Sequence, residues 1–294
     1  MKLNITREKM CKLIVRIIRI MPADTRQMPL LLAFIFLASV SYAQEIEVFR
    51  MPSSSLVCDK MPLQYADSRQ VMISFKSTPE AIRKLVPQPL VPNPNNIMII
   101  MASHWNAKGF QSLEYNDNGG KIYEVALLIP VWFEKKMGVY SVILYLDNAS
   151  RLPMSREIWG FPKKLANITV DEKDGIYSST VEISGTNIVK LDFKRTEKVE
   201  PVPASPPGNV FNLKVIPSVK RNAPPEVLQI TATRTNFETK ESWKGKATLE
   251  LGSLSTEPLG EIPVLKIISA NDTLIEGSMD YGEVIYDYLA KSKK

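Results

Sequence analysis

The sequence predicts a β-rich α+β fold, in which a mainly antiparallel sheet or barrel is accompanied by few helices. Short apolar runs rich in β-branched residues recur at close spacing along most of the chain, as in sheet proteins. The sequence contains no Gly-rich phosphate loop, Rossmann fingerprint or repeat of fixed period. With 45% hydrophobic and 23% charged residues, the chain has the composition of an ordinary globular protein.

The first half of the domain predicts four strands and one short helix. Thr78 can cap a helix, Pro79 suits the first helical position, and Glu80 suits the positive end of the helix dipole. Pro87 ends this helix. The strands are predicted at residues 71–75, 97–102, 125–131 and 139–145.

The second half repeats this texture. Residues 178–183 and 188–193 alternate apolar and polar side chains around 184–187, which predicts a hairpin, and the proline-rich segment 201–207 predicts a surface loop. The end of the chain, residues 282–289, is interpreted as a closing helix. Further strands are predicted at residues 210–216, 227–233, 247–251 and 264–269.

The N-terminal segment predicts export. Basic residues precede an apolar run at residues 30–40, and the small-x-small pattern that ends at Ala43 predicts cleavage before Gln44. The run is too short to span a bilayer, although a second apolar patch keeps an uncleaved anchor open as an alternative. Translation from Met21 or Met28 is also open. The predicted organisation is a leader at 1–43, a linker at 44–62 and a single domain at 63–294.

Charge and composition exclude several functions. Residues 1–43 carry seven basic and two acidic side chains, so most of the net charge of +6 belongs to the leader and gives no nucleic-acid footprint. His104 is the only histidine, which argues against a histidine metal site and is more typical of a structural role. No cofactor is predicted.

The most informative segment follows a Gly-Phe-Pro bend. It reads Arg-Glu-Ile-Trp-Gly-Phe-Pro-Lys-Lys-Leu-Ala at residues 156–166, so that Lys163 and Lys164 stand among large apolar side chains. Apolar surroundings and a neighbouring cation both disfavour an ammonium and favour a free amine. A free amine can attack a ketone to form an imine. For a lysine pair without this context, a solvated surface would be the ordinary interpretation.

This segment resembles the active-site signature of the acetoacetate decarboxylase family. Further similar blocks follow in family order, among them residues 79–90, Ile129-Pro130-Val131, residues 145–148, 212–217, 242–245 and 283–289. Acetoacetate decarboxylase itself is the known example of an amine activated by desolvation or a neighbouring cation. The resemblance implies a closed, barrel-like cone with a few peripheral helices. It also implies a homo-oligomer that needs no metal or organic cofactor and acts on a small keto acid.

By resemblance, each matching residue has an expected role. Lys163 is the Schiff-base nucleophile and Lys164 the neighbour that perturbs or positions it. Arg69 lies near the substrate carboxylate, and Glu124 lies in the catalytic pocket. Arg156 and Glu157 support the lysine segment.

One departure from the family pattern concerns a second pocket glutamate. The chain has Ile99 at that position, although the register is open and Glu114 could lie nearby. The expected reaction is decarboxylation of acetoacetate or a related β-keto acid. The alternatives are a Schiff-base aldolase or dehydratase on the same scaffold, and an exported small-molecule binder without catalysis. After cleavage of the leader, neither a membrane nor a nucleic acid is an expected partner.

Overall fold

The computed structural model describes residues 61–108, 121–201 and 208–290, and strands dominate them. Helix α1 spans Pro79–Leu85 and helix α2 spans Leu152–Met154, with 3-10 turns at Ala149–Arg151 and Leu259–Glu261 and a π-helical turn at Ser155–Trp159. The strands are β1 Leu63–Lys76, β2 Val91–Pro92, β3 Ile97–Lys108, β4 Lys121–Phe133, β5 Lys136–Leu146, β6 Lys163–Leu165, β7 Asn167–Lys173, β8 Ile176–Ile183, β9 Thr186–Val199, β10 Gly208–Ile216, β11 Val227–Leu251 and β12 Lys266–Asp287.

Seven strands close into a ring. Their order is β10-β5-β4-β3-β1-β12-β11, and β10 pairs with β11 as well as with β5. Strands β9, β8 and β7 continue the sheet from the second half of β11. Most pairings are antiparallel, whereas β5 pairs in parallel with both β10 and β6. The predicted β-rich, mainly antiparallel, barrel-like fold is confirmed.

Strand β4 buries both of its faces, which explains its nearly continuous apolar sequence. Along β4, Val125, Leu127 and Ile129 belong to the main hydrophobic core, while Ala126 and Leu128 belong to a second, smaller cluster. This second cluster also contains Trp159 and Phe161 of the signature segment. Because side chains alternate along a strand, Ala126 and Leu128 of β4 and Ile99 and Met101 of β3 lie on the face that packs against the signature segment.

Two local predictions are confirmed in detail. The side chain of Thr78 accepts a hydrogen bond from the backbone N–H of Ala81 at 3.2 Å, and α1 begins at Pro79. The β8–β9 hairpin turns at Ser184 and Gly185, which both have positive φ as a two-residue hairpin turn requires. Among the described helices, none is long and apolar enough to cross a membrane.

The predicted closing helix is wrong, because residues 282–287 are the last part of β12. Val284 and Tyr286 pair with β11, and the rings of Tyr286 and Tyr288 meet edge to face at 4.9 Å. Aromatic residues two apart follow the strand period rather than the helix period. The strands predicted at 227–233 and 247–251 are likewise two ends of one strand, β11. The leader, most of the linker and most of the proline-rich loop lie outside the described residues.

Candidate active site

A compact helical connection leads from β5 into the signature segment, residues 156–166. The side chain of Asn148 accepts a hydrogen bond from the N–H of Ser150 at 3.0 Å and so starts the 3-10 turn after β5. The chain then passes through α2 and the π-helical turn, and ends at Gly160 with φ of 79°. A Cβ at Gly160 would lie 2.5 Å from the Cβ of Lys214. Only glycine combines this left-handed backbone with such close approach to β10.

Three strands hold this connection in place. The indole Nε1 of Trp159 donates to the carbonyl of Asp280 at 3.0 Å, and the hydroxyl of Thr231 donates to the carbonyl of Trp159 at 2.5 Å. The Nζ of Lys214 donates to the carbonyl of Ile158 at 3.2 Å. Trp159 is almost completely buried. Strands β10, β11 and β12 therefore fix the position of the bend that precedes the two lysines.

Strand β6 sends the two lysines in opposite directions. It pairs with β5, where Lys163 lies beside Leu144. Lys163 points toward the second, smaller hydrophobic cluster. Lys164 is exposed, and its Nζ contacts the carboxylate of Glu257. The hydroxyl of Tyr145 donates to the other oxygen of Glu257 at 2.6 Å, and burial raises the pKa of Tyr145. Lys164 thus pairs with Glu257, and its side chain does not line the cavity that contains Lys163.

Lys163 forms an ion pair with Glu124. The Nζ of Lys163 lies 2.7 Å from Oε2 of Glu124, and their side chains are only 14% and 5% exposed. The indole of Trp105 donates to Oε1 of Glu124 at 3.2 Å. The ring of Phe161 lies 5.5 Å from the ammonium nitrogen. The predicted amine and the predicted acid therefore meet, within reach of a direct proton transfer.

A cavity of about 270 Å³ surrounds this pair. It lies among β1, β3, β4, β5, β10 and the signature segment, and most of its wall is apolar. Polar side chains interrupt the wall at a few places. These are Gln70, Glu124, Ser141, Arg151, Ser155, Lys163 and Thr235, besides the tips of Tyr65 and Trp105. A mostly apolar cavity with few convergent polar groups is typical of a small-molecule site.

Arg151 is the charged residue of the cavity that the sequence analysis missed. It is 7% exposed and lines the cavity together with Lys163 and Glu124. Burial lowers the pKa of Arg151 to about 10, so the guanidinium stays charged at neutral pH. Tyr65 interacts with it electrostatically, and burial raises the pKa of Tyr65 far above its ordinary value, which keeps the phenol neutral. A signal existed in the sequence, since Arg151 stands five residues before Arg156 in a stretch that leads into the signature.

Arg69 does not lie where the resemblance led us to expect it. Strand alternation turns Gln70 and Met72 to the cavity, so Arg69 faces the opposite side of β1. There its Nη1 lies 2.6 Å from the buried carboxylate of Asp272, which also binds the Nε of Arg195 at 2.6 Å. The expected place near a substrate carboxylate is therefore corrected to a place in an ion-pair network.

The other predicted positions have mixed outcomes. Ile99, which the resemblance leads us to expect at the position of the second family glutamate, lines the cavity. Glu124 is the single carboxylate among the lining residues that the structure describes. Glu114 lies outside the described residues. Arg156 is exposed. Burial lowers the pKa of Lys214, and the nearby carboxylate of Glu157 acts in the opposite direction. Neither Arg156 nor Glu157 lines the cavity.

His104 also lies away from the cavity. It pairs across strands with Arg69, and burial lowers its pKa. In the described parts of the chain, no three His, Cys, Asp or Glu side chains are grouped as metal ligands would be.

Comparisons with known proteins show the family and the fold. Residues 50–289 match the model of the acetoacetate decarboxylase family. The acetoacetate decarboxylase of Burkholderia vietnamiensis strain G4 is 30% identical over 252 residues, which cover 83% of this chain and 97% of that protein. The resemblance noted in the signature segment is thereby confirmed.

Two solved structures share the fold. The acetoacetate decarboxylase of Legionella pneumophila has a TM-score of 0.68 at 24% identity, over 78% of this chain and 88% of that chain. The enduracididine biosynthesis enzyme MppR, solved in complex with pyruvate, has a TM-score of 0.68 at 17% identity, over 81% of this chain and 95% of that chain. At these identities the similarity establishes the fold alone.

Proposed function

The chain belongs to the acetoacetate decarboxylase family, as a carboxy-lyase of the acetoacetate decarboxylase type, and we propose that it decarboxylates a β-keto acid through an imine on Lys163. The observation that carries this proposal is the ion pair between Lys163 and Glu124 inside a mostly apolar cavity. An amine beside a carboxylate can pass its proton to that carboxylate and so become the nucleophile.

The reaction proceeds in four steps. The Nζ of Lys163 adds to the ketone carbon, and Glu124 supplies and receives the protons as water leaves to give a protonated imine. The bond between the α-carbon and the carboxylate then breaks, carbon dioxide leaves, and the electron pair moves into the imine to form an enamine. Protonation of the enamine carbon restores an imine. Water hydrolyses this imine and returns the ketone and the free amine.

We propose that Arg151 binds the carboxylate of the substrate. With Lys163 protonated, the described lining residues carry two cations, Lys163 and Arg151, against the single carboxylate of Glu124. These two cations in the cavity wall favour a ligand with a negative charge, which a keto acid provides. A guanidinium also offers paired donors to a carboxylate. The rings of Tyr65 and Trp105, which meet edge to face at 5.1 Å, line the same cavity.

The apolar cavity wall assists the chemistry. A carboxylate loses hydration in such surroundings, whereas the transition state spreads its charge toward the imine. The iminium is the electron sink, so the reaction needs no further electron acceptor.

A second candidate is a Schiff-base reaction that keeps the carboxylate, such as an aldol reaction or a dehydration. The observation in its favour is the buried guanidinium of Arg151, which stabilises the carboxylate in the ground state as well. The MppR structure in complex with pyruvate provides a relative in fold with an oxo acid bound.

Borohydride reduction in the presence of acetoacetate separates these candidates. We expect an adduct on Lys163 that carries an isopropyl group, located by peptide mass spectrometry with fragmentation between the two lysines. An adduct that retains the carboxylate would favour the second candidate. Lys163→Ala should abolish the adduct, and Lys164→Ala is the matched control, since its amine contacts Glu257 outside the cavity. No adduct with acetoacetate, pyruvate or longer keto acids would contradict imine chemistry.

A further inference from the structure

Side chains that pair across β4, β3 and β1 form successive rows on the face of the second, smaller hydrophobic cluster. The row that contains Glu124 continues through Ser103 to Gln70. Two residues further along each strand, the side chains become apolar. The next row is Ala126, Met101 and Met72. In the row after it, Leu128 and Ile99 are apolar and Ser74 is the third member. Four of these residues, Met101, Met72, Leu128 and Ile99, line the cavity.

This apolar part of the cavity has no use in the decarboxylation of acetoacetate. Beyond its ketone, acetoacetate carries only a methyl group. The cavity measures about 270 Å³, whereas an apolar protein cavity of about 150 Å³ is large enough to hold benzene. The space therefore suffices for a keto-acid head group at Lys163 and for a substituent the size of a short alkyl chain or a ring.

Ile99 makes the far rows more apolar than the family pattern implies. Ile99 pairs with Leu128 across the strands, so the two side chains form a continuous apolar surface two rows from Glu124. A carboxylate at this position would expose a long substituent to a buried charge, which is costly. Met72 and Met101 lie between this surface and the amine, and methionine side chains adapt to ligands of different shape.

We infer that the substrate class of this site is β-keto acids in which an apolar substituent of several carbons replaces the methyl group of acetoacetate, with the substituent lying along Met72, Met101, Ile99 and Leu128. This inference rests on the proposed function, because the position of the keto-acid head is set by Lys163 and Arg151. It extends that function by assigning the part of the cavity that acetoacetate leaves empty.

Binding of unreactive carboxylates tests the inference without any catalysis. Butanoate, hexanoate and octanoate are titrated into the wild-type protein by isothermal calorimetry. Each buried methylene should lower Kd about fourfold, so hexanoate should bind about 15-fold more tightly than butanoate. Equal affinities for butanoate and hexanoate would overturn the inference.

A pair of variants then locates the substituent. Ile99→Phe fills the far row, and the ratio of the butanoate to the hexanoate Kd should fall from about 15-fold to about twofold. Ile268→Phe makes the same change at an exposed position of β12 and should leave the ratio as in the wild type. An unchanged ratio in Ile99→Phe would place the substituent elsewhere and overturn the assignment.

The keto-acid series links this result to the reaction. The kcat/KM for 3-oxohexanoate should exceed that for acetoacetate by the same factor, about 15-fold. Failure of the proposed function would look different, since no keto acid would then give a reduced adduct on Lys163, whatever the carboxylate affinities. A flat kcat/KM series together with a trapped adduct would contradict only the substrate class.

Discussion

Replacement of Arg151 by methionine should weaken substrate binding and stabilise the protein at the same time. Arg151 is buried in the cavity wall, and burial lowers its pKa from its ordinary value to about 10. Since a tenfold change in proton affinity corresponds to about 1.4 kcal/mol, the charged guanidinium destabilises the folded protein at neutral pH by up to about 3 kcal/mol. Methionine has a similar length and carries no charge.

The sign of this effect follows from the direction of the pKa change. The folded state binds the proton of Arg151 less tightly than the unfolded state does, so the penalty is fully present below pH 10. It disappears as the pH rises from about 10 toward the ordinary pKa of arginine. We therefore expect the variant to have the higher Tm at pH 7 in differential scanning calorimetry, by several degrees, and this advantage to shrink above pH 10.

Substrate affinity should change in the opposite direction. Loss of one partner of a buried charge pair typically costs about 2 to 5 kcal/mol, so KM for the keto acid should rise by at least about 30-fold. Arg151→Lys keeps the charge without the paired donors and should fall between the two. In the wild type, KM should rise as the pH passes 10 and the guanidinium loses its proton.

One combination of results would refute this reasoning. If Arg151→Met lowered Tm and left KM unchanged, Arg151 would support the connection after β5 and would not bind substrate. Steady-state kinetics by carbon dioxide release and calorimetry on the same preparation distinguish the two outcomes.

Three further predictions concern other parts of the chain. Glu124→Gln should lower kcat at least about 100-fold, because Lys163 loses its proton-transfer partner. Borohydride trapping over a long incubation should still label Lys163, and a kcat equal to that of the wild type would contradict this role. Gly160→Ala should reduce the folded yield and Tm, because its Cβ would lie 2.5 Å from the Cβ of Lys214; an unchanged Tm would contradict the close approach. The leader predicts export, so N-terminal sequencing of the protein from its host should find cleavage after Ala43, and an intact leader would favour the anchor.

Local sequence patterns predicted the fold where a strand or helix carries its own signal. The helix at 79–85 has a capping threonine and a proline, and the 178–193 hairpin has a two-residue turn, so short-range chemistry sufficed. The last segment failed because Val284, Ile285 and Leu289 also fit a helical face. Pairing with β11 decides the matter there, and such pairing depends on residues some fifty positions away that no local pattern reveals.

The candidate site was predictable only in part, for a similar reason. Resemblance located Lys163 and Glu124, and the structure brings their charged groups to 2.7 Å. The resemblance could not reveal that Arg69 lies on the opposite face of β1. A bulge between Tyr65 and Ser68 changes the register of that strand. Lys164 is separated from Lys163 by the ordinary alternation of a three-residue strand, which the sequence analysis did not recognise as a strand.

The apolar Ile99 and the charged Arg151 are consistent with each other electrostatically. Once the imine has formed, the iminium and Arg151 are balanced by the substrate carboxylate and Glu124, so the described lining groups carry no net charge. Loss of carbon dioxide removes the iminium charge and the carboxylate together, and Arg151 is left opposite Glu124. A second glutamate at position 99 would leave a surplus negative charge in both states, beside apolar side chains that cannot solvate it. The isoleucine thus allows one guanidinium to hold the substrate without a charge imbalance when the carboxylate departs.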